Sequence, residues 1–152
     1  MMKRYCFRII VITGLLALTS VNCFAFLPEG TPEKIVVVTN QKNEVQVLDK
    51  KGLINLFMGK YSAFPNGQEA TPIDVALDEN LKAEFYDALV GLPLPRINAY
   101  WSRLKFSGRV KPPALEQTID DITQRLENDE SALAYIYESY VTDEMKVVYR
   151  FD

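Results

Sequence analysis

Lys34-Ile-Val-Val-Val-Thr39 constrains the fold more than any other stretch of this 152-residue chain. Ile35 to Thr39 is an unbroken run of β-branched residues, which are stiff at χ1 and favour the pleated surface of a strand. The run has no alternating polar positions, so the strand it predicts is buried on both faces. A strand of that kind needs layers above and below it, and the remaining sequence must provide helices to cover it.

Helical patterns follow at intervals. Asp49 predicts an N-cap for a helix over residues 50–58, whose Leu53, Leu56 and Phe57 recur at i, i+3, i+4. Gly59 stands where a helix closes on a left-handed residue, and Pro65-Asn66-Gly67 marks a turn. Residues 71–76 read as a strand. A second helix over 80–90 spaces Leu81, Phe85 and Leu89 four apart and ends at Gly91. After Pro93 and Pro95, Ile97, Tyr100, Trp101 and Leu104 define a third helix. Ser107-Gly108 and Pro112-Pro113 are loop, and Ile119, Ile122 and Leu126 mark a fourth helix over 117–127.

Residues 133–137 and 145–151 read as two further strands. In the last, Val147, Tyr149 and Phe151 alternate with Lys146, Val148 and Arg150. Val45 to Leu48 is either a short strand or an extended approach to the first helix. The order predicts one α/β domain with a mixed or partly parallel sheet.

The first 25 residues have a different character. Lys3, Arg4 and Arg8 precede an apolar run from Ile9 to Leu18, and Cys23-Phe24-Ala25 places small residues at the −3 and −1 positions of a cleavage site. The run is short for a bilayer span, so residues 1–25 read as a secretory signal peptide and 26–33 as an extended arm. The domain proper is residues 34–152. Ser20-Val21-Asn22-Cys23 is a loose lipoprotein box, which makes lipid anchoring at Cys23 the minor alternative.

Export with cleavage removes three of the 17 basic residues and none of the 20 acidic ones, leaving a net charge of −6. That balance disfavours nucleic-acid binding. Both cysteines lie in the leader, and the chain has no histidine. A Ser-His-Asp or Cys-His apparatus is therefore excluded, a zinc site is not expected, and no calcium-loop motif occurs. The expectation is a non-catalytic protein without cofactor or metal.

Three features bear on binding. Gly59-Lys60 hints at a phosphate loop, but it follows a helix, precedes a loop and lacks the earlier glycine of that motif. Asp78-Glu79-Asn80 occupy a strand-to-helix junction, where α/β domains present helix N–H groups to ligands. Two carboxylates there cap the helix and repel anions, leaving room for a cationic or hydroxyl-bearing ligand. Arg96, Arg103, Lys105, Arg109 and Lys111 fall within residues 88–115, which contain no acid, with Tyr100 and Trp101 among them. That span reads either as a patch for an anionic ligand or acidic partner, or as a core stripe whose basic residues balance the acidic fourth helix. Asp120/Asp121 and Asp129/Glu130 read as solvated carboxylates.

Ile35-Val-Val-Val-Thr-Asn40, Leu53-Ile-Asn-Leu-Phe-Met-Gly-Lys60, Phe64-Pro-Asn-Gly67 and Thr71-Pro-Ile-Asp74 occur in that order. Phe85-Tyr86, Tyr100-Trp-Ser-Arg103, Phe106-Ser-Gly108, Pro112-Pro113 and Ala132-Leu-Ala-Tyr-Ile136 follow. Across residues 34–150 the chain resembles the second lobe of the phosphate-type substrate-binding proteins of ABC transporters. The resemblance implies a single lobe of a type II periplasmic-binding-protein-like fold, with a mixed sheet of about five strands flanked by helices, and a periplasmic location.

Two departures accompany it. The family closes two lobes on its ligand, and one lobe's pattern is present. Its Arg and Gly-Ser-Gly-Thr-like turn are replaced by Val75-Ala-Leu-Asp-Glu-Asn80, so no phosphate-binding residue carries over. A lone lobe also lacks an opposing wall, which a homodimer or a partner protein could supply.

The resulting expectation is binding of a small solute at Thr39, Asn40, Asp78 and Asn80. The alternative is docking on a membrane sensor or transporter through Trp101, Arg103 and Arg109. After signal cleavage no part is expected to span the membrane.

Overall fold

The computed structural model describes residues 33–108 and 110–151, with backbone alone at 106 and 107. The signal-peptide and arm readings and Arg109 fall largely or wholly outside these residues. The elements, in chain order, are β1 (Ile35–Asn40), α1 (Lys50–Phe57), β2 (Thr71–Val75), α2 (Glu79–Val90), α3 (Leu94–Ser107), β3 (Ala114–Glu116), α4 (Ile119–Asn128), β4 (Ala132–Tyr137) and β5 (Met145–Arg150). A single 3-10 turn, Glu138–Tyr140, follows β4.

The five strands form one sheet in the order β3-β2-β4-β1-β5. β2 runs parallel to β3 and β4, whereas β1 is antiparallel to both β4 and β5. Four strands therefore point one way and β1 the other. All six β1 residues are buried, as its unbroken apolarity requires.

Side chains alternate between the two faces of the sheet. Asp74, Tyr135 and Val37 share one face, which receives α2, and α1 joins it through Phe57, whose ring lies 4.8 Å from Phe85 and 5.9 Å from Tyr135. Phe85 stacks on Tyr135 with centroids 3.8 Å apart. The opposite face carries Val38 and Asn40 and receives α4, whose Leu126 carbonyl accepts from Asn40 Nδ2 at 2.6 Å.

Local signals set the helix ends. Asp49 accepts from Gly52 N at 2.7 Å, and Gly91 adopts φ 67° after α2. Pro95 belongs to α3, in its first turn, where a missing N–H costs nothing. Thr118 and Asp121 form a capping box, so α4 begins at Ile119 rather than at 117, and Ile119 itself is only partly buried.

Two strand readings change. Ala114–Glu116 is a strand that the sequence hides, being three residues long and next to Pro112-Pro113. In β5, Val37 pairs with Tyr149 and Val38 with Val147, so Val148 is the extra residue of a bulge. The bulge breaks the expected alternation and makes Met145 and Val148 the buried positions. Val148's carbonyl accepts from Leu48 N at 2.9 Å, so Val45–Leu48 is an extended approach lying against the β5 edge, not a strand.

Candidate functional site

The parallel strands of an open α/β sheet present ligands beyond their carboxyl ends. Here that edge is formed by the ends of β2, β3 and β4 and the starts of α2 and α4. β2 continues its pairing past Val75, with Ala76 N donating to Glu116 O at 2.8 Å and Leu77 N to Gln117 O at 3.2 Å. Leu77 is 73% exposed.

Both helix starts at this edge are closed from within. Asp78 Oδ1 accepts from Leu81 N at 2.9 Å, and Glu79 occupies the first turn of α2. At α4, Thr118 Oγ1 accepts from Asp121 N at 3.2 Å while Asp121 Oδ2 accepts from Thr118 N at 3.0 Å. One first-turn N–H of each helix is thus capped by the chain itself, and carboxylates stand at the positive end of each helix dipole.

More acid gathers at the end of β4. The Tyr137 phenol is raised above its ordinary pKa, first by burial and then by the charges of Glu84, Asp78 and Glu33. Ser139 donates to Glu33, and Arg150 Nε donates to Glu138 at 3.1 Å. An anion approaching this edge meets carboxylates on several sides.

Thr39 and Asn40 do not join this group. Because β1 is antiparallel, its last residues lie level with the start of β2: Thr39 pairs with Leu133, which pairs with Pro72. The three steps from Pro72 to Val75 put about 10 Å of strand between that level and the carboxyl edge. Thr39 Oγ1 donates to Ala132 O at 2.7 Å. Asn40 Nδ2 donates to Leu126 O and Glu127 O, and its Oδ1 accepts from Lys42 N at 2.7 Å. Both side chains are buried and spent on backbone groups. Asp78 is the α2 cap, and Asn80 is exposed on the first turn.

The aromatics of α3 turn inward. Trp101 is 7% exposed and lies against Gly59, its Nε1 without an acceptor in hydrogen-bond geometry. Tyr100 Oη donates to Met58 O at 2.7 Å. Arg96, Arg103 and Lys105 are exposed and form no ion pair among the described residues. The structure therefore separates Trp101 from the basic surface.

A buried polar cluster that the sequence does not mark as a site centres on Asp74. Asp74, 5% exposed in the middle of β2, accepts from Tyr135 Oη at 2.8 Å and Tyr86 Oη at 3.1 Å on one oxygen, and pairs with Lys82 Nζ at 2.8 Å on the other. Burial first, then the Asp74 charge, pushes both phenols up. The available signal was an acid inside the apolar run Thr71-Pro-Ile-Asp-Val75. Its ionic and hydrogen-bond partners lie within the protein, so the cluster ties α2 to the sheet. Among the described residues no group of three or more Asp or Glu is placed to hold a metal ion, and no helix is long and apolar enough to cross a membrane.

No protein-family model and no curated protein matches the sequence. Solved structures do. An ABC-type phosphate transport receptor from Vibrio cholerae aligns with a TM-score of 0.60 at 13% identity, over 76% of this chain and 45% of that one. A putative phosphate ABC transporter substrate-binding protein with bound phosphate, from Clostridium perfringens, aligns at 0.58 and 16% identity, over 76% and 44%. A possible phosphate binding protein from Planctomyces limnophilus aligns at 0.58 and 13% identity, over 76% and 40%. The chain spans less than half the length of these structures. The likeness is one of fold: the described residues form a single lobe of the periplasmic-binding-protein type, as the sequence words imply.

Proposed function

We propose that this domain is a non-catalytic binding module of the cell envelope whose carboxyl edge takes a cationic or hydroxyl-bearing solute rather than phosphate. The observation that carries this reading is the acid at both helix starts, with Asp78 capping Leu81 N, Glu79 in the first turn of α2, and Asp120 and the Thr118–Asp121 box at α4. Phosphate binding at a helix start depends on free N–H donors and on an absence of competing negative charge. The module's fold is that of proteins that bind solutes, and the lack of histidine removes the commonest general base. Export rests on the signal-peptide pattern of residues 1–25.

A thermal-shift screen of the purified protein tests the proposal. Polyamines, amino sugars and polyols form one arm and orthophosphate the other, each titrated to millimolar concentration. A concentration-dependent rise in melting temperature with a member of the first arm, lost in Asp78→Lys, supports the reading. A rise with phosphate, or with neither arm, contradicts it.

A second reading rests on the exposed Arg96, Arg103 and Lys105 of α3. Those unpaired cations suit docking on an acidic ectodomain of a membrane sensor or transporter. Charge reversal at Arg103 that abolishes recovery of a membrane protein in crosslinking, with the solute screen silent, favours docking.

A further inference from the structure

The segment from Asn55 to Gly67 lies at the other edge of the sheet, beside the amino ends of β2 and β3, and the module reading above makes no use of it. Its backbone is closed on itself. Asn55 O accepts from Lys60 N at 2.8 Å and Tyr61 N at 3.0 Å. Ser62 O accepts from Ala70 N at 2.9 Å, and Phe64 N donates to Gln68 O at 2.8 Å. Phe64 is buried beneath the loop as a plug. A loop so tied presents its remaining side chains in fixed places.

Those side chains are Lys60, Tyr61 and Ser62, all pointing into solvent. Tyr61 is 65% exposed, and its phenol has no hydrogen-bond partner among the described residues. A cleft of about 540 Å³ opens on one side of them toward α1, with Lys51 on its rim. A second, of about 720 Å³, opens on the other side and is bordered by Pro72, Lys111, Pro112 and Ala114. The two share Leu56, Lys60, Tyr61 and Ser62, so they flank Tyr61 on either side and together make a grooved surface around it.

The charge along the groove contrasts with the acidic carboxyl edge. Lys51, Lys60 and Lys111 are exposed and form no ion pair among the described residues. The lining acids are Asp49, already engaged as the cap of α1, and Glu69. Ala114, the first residue of β3, lines the second cleft. Among the described residues that strand pairs only with β2, which leaves its outer backbone edge to another strand.

We propose that this groove binds an extended acidic peptide segment of a partner protein. Lys51, Lys60 and Lys111 would take its carboxylates, Tyr61 would pack against its backbone and apolar side chains, and β3 would take an added strand. An exposed aromatic suits an interface centre and the flanking lysines its charged, steering rim, whereas a solvated turn requires neither. The site is independent of any solute at the carboxyl edge.

The test is ¹⁵N–¹H NMR titration of the full-length protein with a capped hexapeptide of alternating glutamate and valine. The same peptide with lysine for glutamate and anionic phosphatidylglycerol vesicles serve as parallel arms. Saturable shifts confined to residues 55–67 and 110–116 are expected with the acidic peptide alone. Lys60→Glu should weaken that binding at least tenfold, and Tyr61→Ala several-fold, with the rest of the spectrum unchanged. Absence of shifts at millimolar peptide overturns the proposal. So does mapping of the shifts to Arg96 and Arg103, an equal response to the basic peptide, or a response to vesicles only.

Discussion

Gly59 adopts φ +68° directly beneath Val110 and Trp101, and a Cβ there would stand 2.4 Å from Val110 Cγ1 and 2.9 Å from the Trp101 ring. The left-handed backbone and the steric clash act together, so Gly59→Ala should cost about 3 kcal/mol. Gly67, at φ +87° with nothing within 4 Å of a Cβ, carries the backbone penalty alone, and Gly67→Ala should cost about 1 kcal/mol. Urea denaturation of the two variants measures the difference.

Asp74 gives a sharper test at the same scale. Asp74→Ala leaves Lys82 and two buried phenols without their shared partner, a loss of about 3–5 kcal/mol. The raised phenols also set a pH dependence. Above about pH 10 an unfolded chain releases tyrosine protons that folded Tyr86 and Tyr135 retain, so the unfolded state binds fewer protons. Stability should therefore be intact below pH 10 and fall as pH rises past it. Phenolate absorbance should show these two tyrosines ionising only on unfolding, and a normal titration of both in the folded protein would contradict this.

At the scale of elements, what the sequence disclosed depended on how local the determinant was. The ends of α1, α2 and α4 are set by residues within three positions of the cap, and Asp49, Gly59 and Gly91 were legible for that reason. Thr118 and Asp121 belong to the same class, and Thr118→Ala or Asp78→Ala should each cost about 1 kcal/mol by denaturant melt. The bulge at Val148 and the three-residue β3 depend on which strand lies alongside, and nothing local signals a neighbour about 110 residues away for the bulge or 41 for β3. Placing Thr39 and Asn40 with Asp78 failed similarly: the apolar run predicts a buried strand but not its direction. Asp74 stands in the family-like stretch Thr71-Pro-Ile-Asp74, but its partners, 12 and 61 residues distant, are brought together by the topology.

At the scale of the molecule, a mixed sheet of about five strands flanked by helices was implied by the family resemblance, and the structure has that architecture; the order β3-β2-β4-β1-β5 and the lone antiparallel β1 emerge only in the structure. Fold and ligand separate here. The fold is like that of solved phosphate-binding proteins, while the carboxyl edge of the parallel strands is occupied by Asp78, Glu79, Asp121 and their neighbours. The basic and aromatic surface instead lies at the opposite edge, around Lys60 and Tyr61. Isothermal titration of orthophosphate into the full-length protein at low ionic strength tests this separation most directly. No saturable heat up to millimolar phosphate is the predicted result. A micromolar dissociation constant, weakened by Leu81→Pro at the start of α2, would contradict it.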